Sequence, residues 1–430
     1  MSDQQSIYNQ YMYSYPHKEA YRPIPAEVVK QYLKQTKGNS LYVHIPFCES
    51  KCGYCNLFSK VPAGSEIEDY LEAVSRQVKE YASYMNRQQT MPKQSLFKEV
   101  ILGGGTPLIL NEKQLEGLFG TLEANFGIDY ETAFVGIETS PHQTQKEKMH
   151  YLKEKGINRV SIGVQSFHDP ELTALKRKHL SKDVHAALTT LKNINFECLN
   201  IDLIYGVPGQ TIDSLKASLE QALMYAPDEI FIYPLYIRKH TGLYGTNGVE
   251  ETLKQEMYRF LAAYLKSAGY HQTSMRRFVR HQEASYSCGF EEMIAIGCGG
   301  RSYIGNLHFC EPYSAKVVSC TQTIRAFNQK GSFVEGLTGY ILNEDEQKRR
   351  FVIKNLMYHR GIALKEYNQL WQSELAHDFP IITELMAKKW AVQEAGFIRL
   401  TEEGLGLSDY IGPLFMSDEV VRKMQEGCNP

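Results

Sequence analysis

Three cysteines stand close together near the start of the chain, where their thiols could bind a metal. They are Cys48, Cys52 and Cys55, separated by three and then two residues. Soft thiolate ligands at such short loop spacing favour either an iron–sulfur cluster or zinc. The total of nine cysteines is odd, which fits a reducing compartment and a metal site better than a set of disulfides. We interpret the remaining six as small core residues or free thiols: Cys198, Cys288, Cys298, Cys310, Cys320 and Cys428.

The number of ligands separates the two kinds of metal site. A structural zinc ion usually takes four protein ligands, and no second Cys or His pair follows Cys55 at short spacing. A [4Fe–4S] cluster held by only three thiolates leaves one iron open to an outside ligand. The amino and carboxylate groups of S-adenosylmethionine (SAM) chelate such an iron, and an electron from the cluster then cleaves SAM to a 5′-deoxyadenosyl radical. The spacing predicts this cluster, with zinc or unliganded thiols as the alternatives.

The elements around this loop read as alternating strands and helices from about residue 41 to 243. Short apolar runs predict six strands, at 41–45, 99–102, 134–138, 159–163, 200–204 and 229–235. Amphipathic stretches between them predict helices, at 67–85, 112–126, 144–155, 183–193 and 210–225. Repeated βα units imply an α/β fold with a parallel sheet, either doubly wound or a partial barrel.

Polar or glycine-rich residues recur where these predicted strands end. Residues 103–105 are three glycines after one strand, and Glu138, Gln165 and Asp202 close three others. In parallel α/β folds, ligands bind at the carboxyl ends of the strands. The recurrence therefore predicts a single shared site next to the cysteine loop.

The composition is that of an ordinary soluble protein. Lys plus Arg total 47 against 49 Asp plus Glu, so we expect neither nucleic acid nor an anionic membrane as a partner. No apolar run reaches membrane-spanning length, and residues 1–15 lack a secretory signal, which predicts a cytoplasmic protein. We expect a monomer with four parts: a leader at 1–40, a barrel at 41–245, an extension at 246–342 and a small helical or winged-helix domain at 343–430.

Around the cysteines the sequence resembles the radical SAM superfamily, and more closely its oxygen-independent coproporphyrinogen III oxidase (HemN-like) branch. The likeness spans residues 10 to 305 in ordered blocks, with a weaker one over 343–425. The blocks are YVHIPFC at 42–48, LGGGTP at 102–107, IETSP at 137–141, GVQSF at 163–167, LKR at 175–177 and NIDLIYGVP at 200–208. The resemblance implies a partial (β/α)6 barrel, a [4Fe–4S] cluster on the three cysteines, and SAM.

The resemblance also assigns residues to the bound SAM. Glycines let a backbone approach a ligand closely, carboxylates suit ribose hydroxyls, and an arginine suits a carboxylate. The positions that match SAM contacts are Tyr42, Tyr54, Gly104, Gly105, Thr106, Glu138, Gln165, Arg177 and Asp202.

The substrate side departs from the oxidases. Tyr15 belongs to a leader segment, Tyr13 to Lys18, that resembles the part lying over the active site in those enzymes. Arg276 lies in a stretch, MRRF at 275–278, that replaces the family's residues, and Arg301 follows an altered glycine-rich segment. We expect Tyr15, Arg276 and Arg301 to act on the substrate, with the arginines binding carboxylates of the substrate or of a second SAM.

Two classes of function follow from the resemblance. The first is a radical enzyme acting on a tetrapyrrole or another conjugated ring system, with an electron from a flavodoxin- or ferredoxin-type donor. The departures favour C-methylation or C–C bond formation, as in class C radical SAM methyltransferases with a second SAM, over the oxidative decarboxylation of coproporphyrinogen III. The second class is a haem-binding chaperone without catalysis, which need not keep the SAM-binding set.

Overall fold

The strands of the protein form one large sheet and one small sheet. The computed structural model describes residue 8 and residues 14–85, 97–281, 292–313 and 316–427, so Tyr13, Cys288 and Cys428 lie outside it. In these ranges the strands are β1 (Arg22–Pro23), β2 (Asn39–Ile45), β3 (Phe97–Gly104), β4 (Phe134–Thr139), β5 (Arg159–Gln165), β6 (Cys198–Tyr205), β7 (Glu229–Pro234), β8 (His271–Gln272), β9 (Arg277–Val279), β10 (Met293–Ile296), β11 (Arg301–Ile304), β12 (Leu307–Cys310), β13 (Thr338–Ile341), β14 (Ile362–Ala363), β15 (Ala391–Glu394) and β16 (Phe397–Leu400).

Helices cover the parallel strands and make up most of the C-terminal part. None of those described is both long enough and apolar enough to span a membrane. They are α1 (Ala26–Gln35), α2 (Glu66–Tyr84), α3 (Glu112–Phe126), α4 (Lys146–Glu154), α5 (Asp169–Ala174), α6 (Ser181–Ile194), α7 (Ile212–Leu223), α8 (Glu251–Ser267), α9 (Val317–Asn328), α10 (Glu344–Leu356), α11 (Leu364–Trp371), α12 (Leu375–Asp378), α13 (Ile381–Ala387), α14 (Glu402–Gly406), α15 (Ser408–Ile411) and α16 (Asp418–Gly427).

The large sheet has a parallel centre and antiparallel edges. Seven neighbouring strands are parallel, in the order β10-β2-β3-β4-β5-β6-β7. Strands β11, β12, β13 and β1 extend one side with antiparallel pairs, and β9 and β8 extend the other. All six predicted strands are present and the predicted α/β fold is confirmed. The seventh parallel strand, β10, is short and ends at Ile296, and it is not among the strands predicted from the sequence.

Helix α3 shows why some of the predicted boundaries are accurate. Asn111 Oδ1 accepts a hydrogen bond from the Gln114 backbone at 2.9 Å, and Gln114 Oε1 accepts one from the Asn111 backbone at 2.9 Å. This reciprocal pair satisfies two donors at the helix start. Gly127 ends the helix in the left-handed region at φ 64°, where glycine carries no side-chain clash. The local sequence therefore determines both ends of this helix.

The C-terminal part has a hydrophobic core of its own. Its antiparallel sheet has the order β14-β16-β15 and packs with helices from α10 onward. Tyr15, Ala20 and Tyr21 are buried in this second core, and β1 pairs with β13. Residues 15–23 are therefore packed between the large sheet and the C-terminal helices.

Candidate functional site

The three cysteines lie on a loop, residues 46–60, that follows β2. Backbone bonds close this loop at its base, because the Cys48 N–H donates to the Lys60 carbonyl at 3.0 Å and the Lys60 N–H donates to the Pro46 carbonyl at 2.9 Å. Inside the loop, Lys51 Nζ donates to the Ser59 carbonyl at 2.9 Å. The loop thus has a defined shape set by its own backbone and one lysine.

Two other segments hold the middle of the loop. The Gly53 N–H donates to the Leu175 carbonyl at 3.0 Å, and the Gly53 carbonyl accepts from the Leu243 N–H at 2.8 Å. Tyr54 packs against a small apolar cluster that contains Leu175 and Leu243. The loop is therefore positioned by the segment after α5 and by the segment after β7.

The thiols fit a cluster that takes one thiolate per iron. All three are free and partly buried. Burial raises the pKa of Cys48 to about 11, so iron binding must displace its proton. Within the described residues no three His, Cys, Asp or Glu side chains converge on one point, as the ligands of a single ion would. A [4Fe–4S] cluster needs no such convergence, because each thiolate binds a different iron.

Glycines lie directly beside the loop. A Cβ atom on Gly105 would come within 2.4 Å of the Phe47 carbonyl oxygen and 2.9 Å of Cys48 Sγ. The backbone N–H of Thr106 donates to the same Phe47 carbonyl at 2.7 Å. Gly103 and Gly104 are the last residues of β3, although the sequence analysis placed them after the strand. The close approach of the two backbones explains why glycine follows this strand at position 105.

Glu138 lies against the glycine segment. Its Oε2 accepts a hydrogen bond from the Gly104 N–H at 3.0 Å. Burial, together with the negative charge of Asp202, raises the pKa of Glu138 to about 7. The carboxylate is thus close to half protonated at neutral pH, and it lies where an incoming hydroxyl could compete for its oxygen atoms.

Asp202 lies in the middle of β6, not at its end as the sequence analysis stated. Its Oδ1 accepts from Asn200 Nδ2 at 2.8 Å and its Oδ2 accepts from Ser161 Oγ at 3.2 Å. Burial raises its pKa to about 6. Ser161 and Asn200 were missed as site residues, although Asn200 stands two residues before Asp202 and therefore on the same face of the strand.

Arg177 and Gln165 lie on either side of Gly163. Arg177 Nη1 donates to Cys52 Sγ at 2.9 Å, and Nη2 donates to the Gly163 carbonyl at 2.6 Å. The Arg177 Nε is buried without a hydrogen-bond partner, which fits a position that meets a bound carboxylate. Gln165 ends β5 at a bulge with φ 73°, and this turns its amide back toward Gly163.

Tyr42 and His44 project from the same face of β2. The Tyr42 hydroxyl lies 3.1 Å from His44 Nδ1, and His44 Nε2 lies 3.0 Å from the Phe58 carbonyl oxygen. Burial lowers the pKa of His44 to about 4, so its ring is neutral. His44 therefore positions Tyr42 and the end of the cysteine loop at the same time.

The substrate-side residues are found at the junction with the C-terminal domain. The Tyr15 hydroxyl donates to the Glu346 carboxylate and accepts from the Ser417 N–H at 3.1 Å. Arg276 is 5% exposed and forms an ion pair with Asp409. Both residues thus have partners within the protein, and a substrate role for Tyr15 or Arg276 stays a prediction.

Two other arginines of this region also have contacts. Arg301 donates from Nη1 to Ser14 Oγ at 2.9 Å. The guanidinium of Arg238 lies over the Tyr236 ring, 5.0 Å from its centroid. Arg301 is the one of the three predicted substrate-side residues whose side chain stays partly exposed.

Comparison with known proteins agrees with this geometry. Residues 42–222 match the family model described as the radical SAM superfamily. The heme chaperone HemW of Bacillus subtilis is 26% identical over 390 residues, covering 88% of this chain and 99% of its own length. The oxygen-independent coproporphyrinogen III oxidase of Pseudomonas aeruginosa is 26% identical over 396 residues, covering 86% of this chain and 82% of its own length.

The fold has a close counterpart among solved structures. Coproporphyrinogen III oxidase (HemN) from Escherichia coli superposes with a TM-score of 0.81 at 23% identity, over 94% of this chain and 96% of that one. Neither this structure nor the two relatives above is a methyltransferase, so they lend no support to the expected C-methylation. Radical SAM domains use a [4Fe–4S] cluster and SAM, and the thiol loop, the glycine segment and Arg177 fit both. The chain is therefore similar, over most of its length, to proteins of the HemN-like branch of the radical SAM superfamily.

Proposed function

We propose that this chain catalyses a radical reaction on a tetrapyrrole that carries carboxylate side chains. When bound, the cluster and SAM supply a 5′-deoxyadenosyl radical that removes a hydrogen atom from the substrate. The residues of the chain orient the two partners: Arg177 holds a positive charge beside Cys52, and Glu138 and Asp202 offer carboxylate oxygens to ribose hydroxyls.

The observation that carries this proposal is that the SAM-binding side chains contact the cysteine loop and the glycine segment directly. Arg177 donates to Cys52 Sγ at 2.9 Å, and Glu138 accepts from the Gly104 N–H at 3.0 Å. Both acids have raised pKa values, because burial disfavours their charged forms. Hydrogen bonds from a bound ligand can offset this free-energy cost. A protein that only carries haem has no need for two such acids beside its cluster.

Among reactions of tetrapyrroles, the relatives favour oxidative decarboxylation over C-methylation. The oxidases of Pseudomonas aeruginosa and Escherichia coli align with 86% and 85% of this chain. In that reaction a propionate side chain gives a hydrogen atom to the 5′-deoxyadenosyl radical. It then releases carbon dioxide and passes one electron to an acceptor. The residues around Arg276 differ from those of the oxidases, but this difference is a weak argument against oxidative decarboxylation. Arg276 is paired with Asp409 inside the protein.

Haem binding is the second candidate, and one observation favours it. The alignment with this chain covers 99% of the length of the HemW relatives from Bacillus subtilis and Lactococcus lactis. It covers 82% of the length of the Pseudomonas oxidase. Sequence similarity to the chaperones therefore extends over almost their whole length, which supports haem binding as the second candidate.

Product analysis separates the candidates. The anaerobically reconstituted protein is incubated with SAM and dithionite, with and without coproporphyrinogen III, and the products are measured by mass spectrometry. We expect 5′-deoxyadenosine and a product lighter by carbon dioxide and two hydrogen atoms for each propionate converted. S-adenosylhomocysteine would instead indicate methyl transfer. If the protein holds a full cluster but never cleaves SAM, and if it binds haem stoichiometrically, the radical enzyme is excluded and the haem chaperone is supported.

In the cell we expect the electron to come from a flavodoxin- or ferredoxin-type donor. We also expect the protein to be cytoplasmic and monomeric. Size-exclusion chromatography with light scattering tests the last point.

A further inference from the structure

A partly buried polar cluster lies on the sheet beyond the predicted SAM-binding residues. We call it the His308 cluster, and it consists of Tyr21, Arg301, Tyr303, His308 and Arg350. The strand registers place Tyr303 and His308 on the same face as Tyr42. Neighbours in register on adjacent strands share a face, and the pairs are Tyr42 with Ala295, Met293 with Tyr303, and Tyr303 with His308. The cluster therefore continues the face that carries the predicted site.

Two members of the cluster are buried without hydrogen-bond partners. His308 is 1% exposed, and neither of its ring nitrogens has a partner. The Tyr21 hydroxyl is also buried without one, on a residue that is 5% exposed. The Tyr303 ring meets the His308 ring edge to face, with centroids 4.5 Å apart, and this contact leaves both nitrogens unused. Buried polar groups nearly always have partners, so such a pair indicates a place for a ligand or an ordered water.

The charges around His308 select the kind of ligand. Burial and the positive charges of Arg350, Lys354 and Arg301 lower the pKa of His308 well below its ordinary value, so the imidazole is neutral. A neutral imidazole offers one N–H donor. Three nearby cations oppose the binding of a metal ion and favour an anion.

The buried carboxylates of this region already have partners. Glu346 accepts hydrogen bonds from the Tyr15 and Ser417 hydroxyls. Glu311 binds Lys330 Nζ at 2.7 Å. Neither is available to the unused nitrogens of His308, so the complementary anion must come from outside the chain.

We propose that the His308 cluster binds a carboxylate of the substrate, with His308 and Tyr21 donating hydrogen bonds and Arg301 and Arg350 supplying positive charge. The assignment to a tetrapyrrole propionate rests on the proposed function. Arg301 connects the two regions, because its charge acts on His44 beside the cysteine loop and on His308. A substrate with a carboxylate on a short flexible arm can therefore be held by the cluster while its ring faces SAM.

Binding measurements on the reconstituted protein test this proposal. Coproporphyrin III and its tetramethyl ester are each titrated against wild type, His308→Phe and Tyr21→Phe, with porphyrin fluorescence as the readout. Because a donor to a charged group is removed, the affinity for coproporphyrin III should fall by about tenfold or more in His308→Phe. The loss of affinity should be smaller in Tyr21→Phe. The affinity for the ester should not change. Equal losses for acid and ester, or no loss for either, would overturn the proposal.

A matched control shows that the effect belongs to the cluster. Tyr367→Phe removes another tyrosine hydroxyl of the C-terminal domain, which donates to Asp378 Oδ2 at 2.7 Å, and should leave both affinities unchanged. Iron content and circular dichroism identify any variant that fails to fold, in which case Tyr21→Phe carries the comparison.

A second arm keeps the result separate from the proposed function. If wild type binds neither porphyrin, the tetrapyrrole proposal fails by itself. Propionate is then titrated into protein labelled with 15N-histidine, up to roughly 100 mM. A shifting imidazole resonance that is missing in His308→Phe supports a carboxylate site. A His308 resonance that does not move overturns it.

Discussion

Arg177 joins the cysteine loop to strand β5, with Nη1 donating to Cys52 Sγ at 2.9 Å and Nη2 donating to the Gly163 carbonyl at 2.6 Å. A cationic donor beside a sulfur ligand tunes the cluster that the sulfur holds. The same side chain keeps Nε without a partner for a bound SAM carboxylate. We therefore expect one guanidinium to affect both the cluster and the binding of SAM.

Replacing Arg177 should change the cluster's potential more than its assembly. In Arg177→Met the cluster should form but have a more negative reduction potential, because the hydrogen bond and positive charge that stabilise the reduced state are lost. SAM affinity should fall by about tenfold. Potentiometric titration followed by electron paramagnetic resonance measures the first effect. Arg76→Met is a matched control, since Arg76 donates to the carbonyls of Asn328 and Lys330. An unchanged potential in Arg177→Met would contradict this role.

A methyl group at Gly105 should prevent cluster binding. The added Cβ would lie 2.4 Å from the Phe47 carbonyl oxygen and 2.9 Å from Cys48 Sγ, so the loop must move. We expect Gly105→Ala to take up less than about half of the wild-type iron, as the overlap is with rigid backbone. Gly120→Ala in α3 is the control, because nothing lies within 4 Å of its Cβ position. That variant should be slightly more stable, and equal iron contents in both variants would refute the explanation.

Glu138 should make the apoprotein less stable as the pH rises. Its pKa is about 7 in the folded chain, above the ordinary value of 4.5, so the folded state binds more protons than the unfolded state between these values. Stability therefore falls as the pH rises from about 5 toward 7 and levels off above it. Glu138→Gln removes the share of this dependence that is due to Glu138, leaving that of Asp202, and should be more stable than wild type at pH 8 by about 1–2 kcal/mol. Urea unfolding at pH 5 and pH 8 measures the difference, and parallel curves for both proteins would show that Glu138 is not responsible.

The Arg276–Asp409 ion pair should hold the C-terminal domain on the sheet. The pair is buried, and the Tyr236 hydroxyl donates to Asp409 in the same cluster. Arg276→Met leaves a buried carboxylate unpaired and should cost about 3–5 kcal/mol of unfolding free energy. Arg276→Met with Asp409→Leu should regain a large part of that loss, because no charge stays buried alone. A double mutant no more stable than Arg276→Met would exclude pairing as the cause.

Each cluster cysteine should be necessary for iron binding. Cys52→Ser should lose the cluster absorbance and all SAM cleavage, because a hydroxyl does not replace a thiolate ligand of iron. Cys198→Ser, at the start of β6 and away from the loop, should keep both. Iron retained by the Cys52 variant at the wild-type level would remove that residue from the ligand set.

The central sheet could be predicted because its information is local. Apolar runs separated by amphipathic helices mark β2 to β7, and capping residues mark α3. Strand β10 was missed because its four residues lead directly into a glycine-rich turn. Asp202 was placed too near the end of its strand, since an apolar strand can continue for several residues past a polar one.

The partners of the arginines could not be predicted, because they lie far away in the sequence. Arg276 pairs with a residue 133 positions later. Glu229 binds both Arg159 and Arg277, which are 70 and 48 positions away. Charge alone does not show whether an arginine meets a ligand or an internal acid, and only the fold brings Asp409 next to Arg276. For the same reason the sequence gives no sign of His308 as a binding residue.

The contact between Tyr15 and Glu346 joins residues 331 positions apart. Contacts between residues so far apart in the sequence form slowly. Because Glu346 lies in α10, the second core can form only after α10 has left the ribosome. The cysteine loop and strands β2 to β7 are complete long before that point in synthesis. The order of synthesis therefore leaves a period in which the cysteine loop has been made but the second core has not yet formed. Iron delivered during translation would meet a chain that still lacks its second core, whereas iron delivered later would meet the fully packed protein.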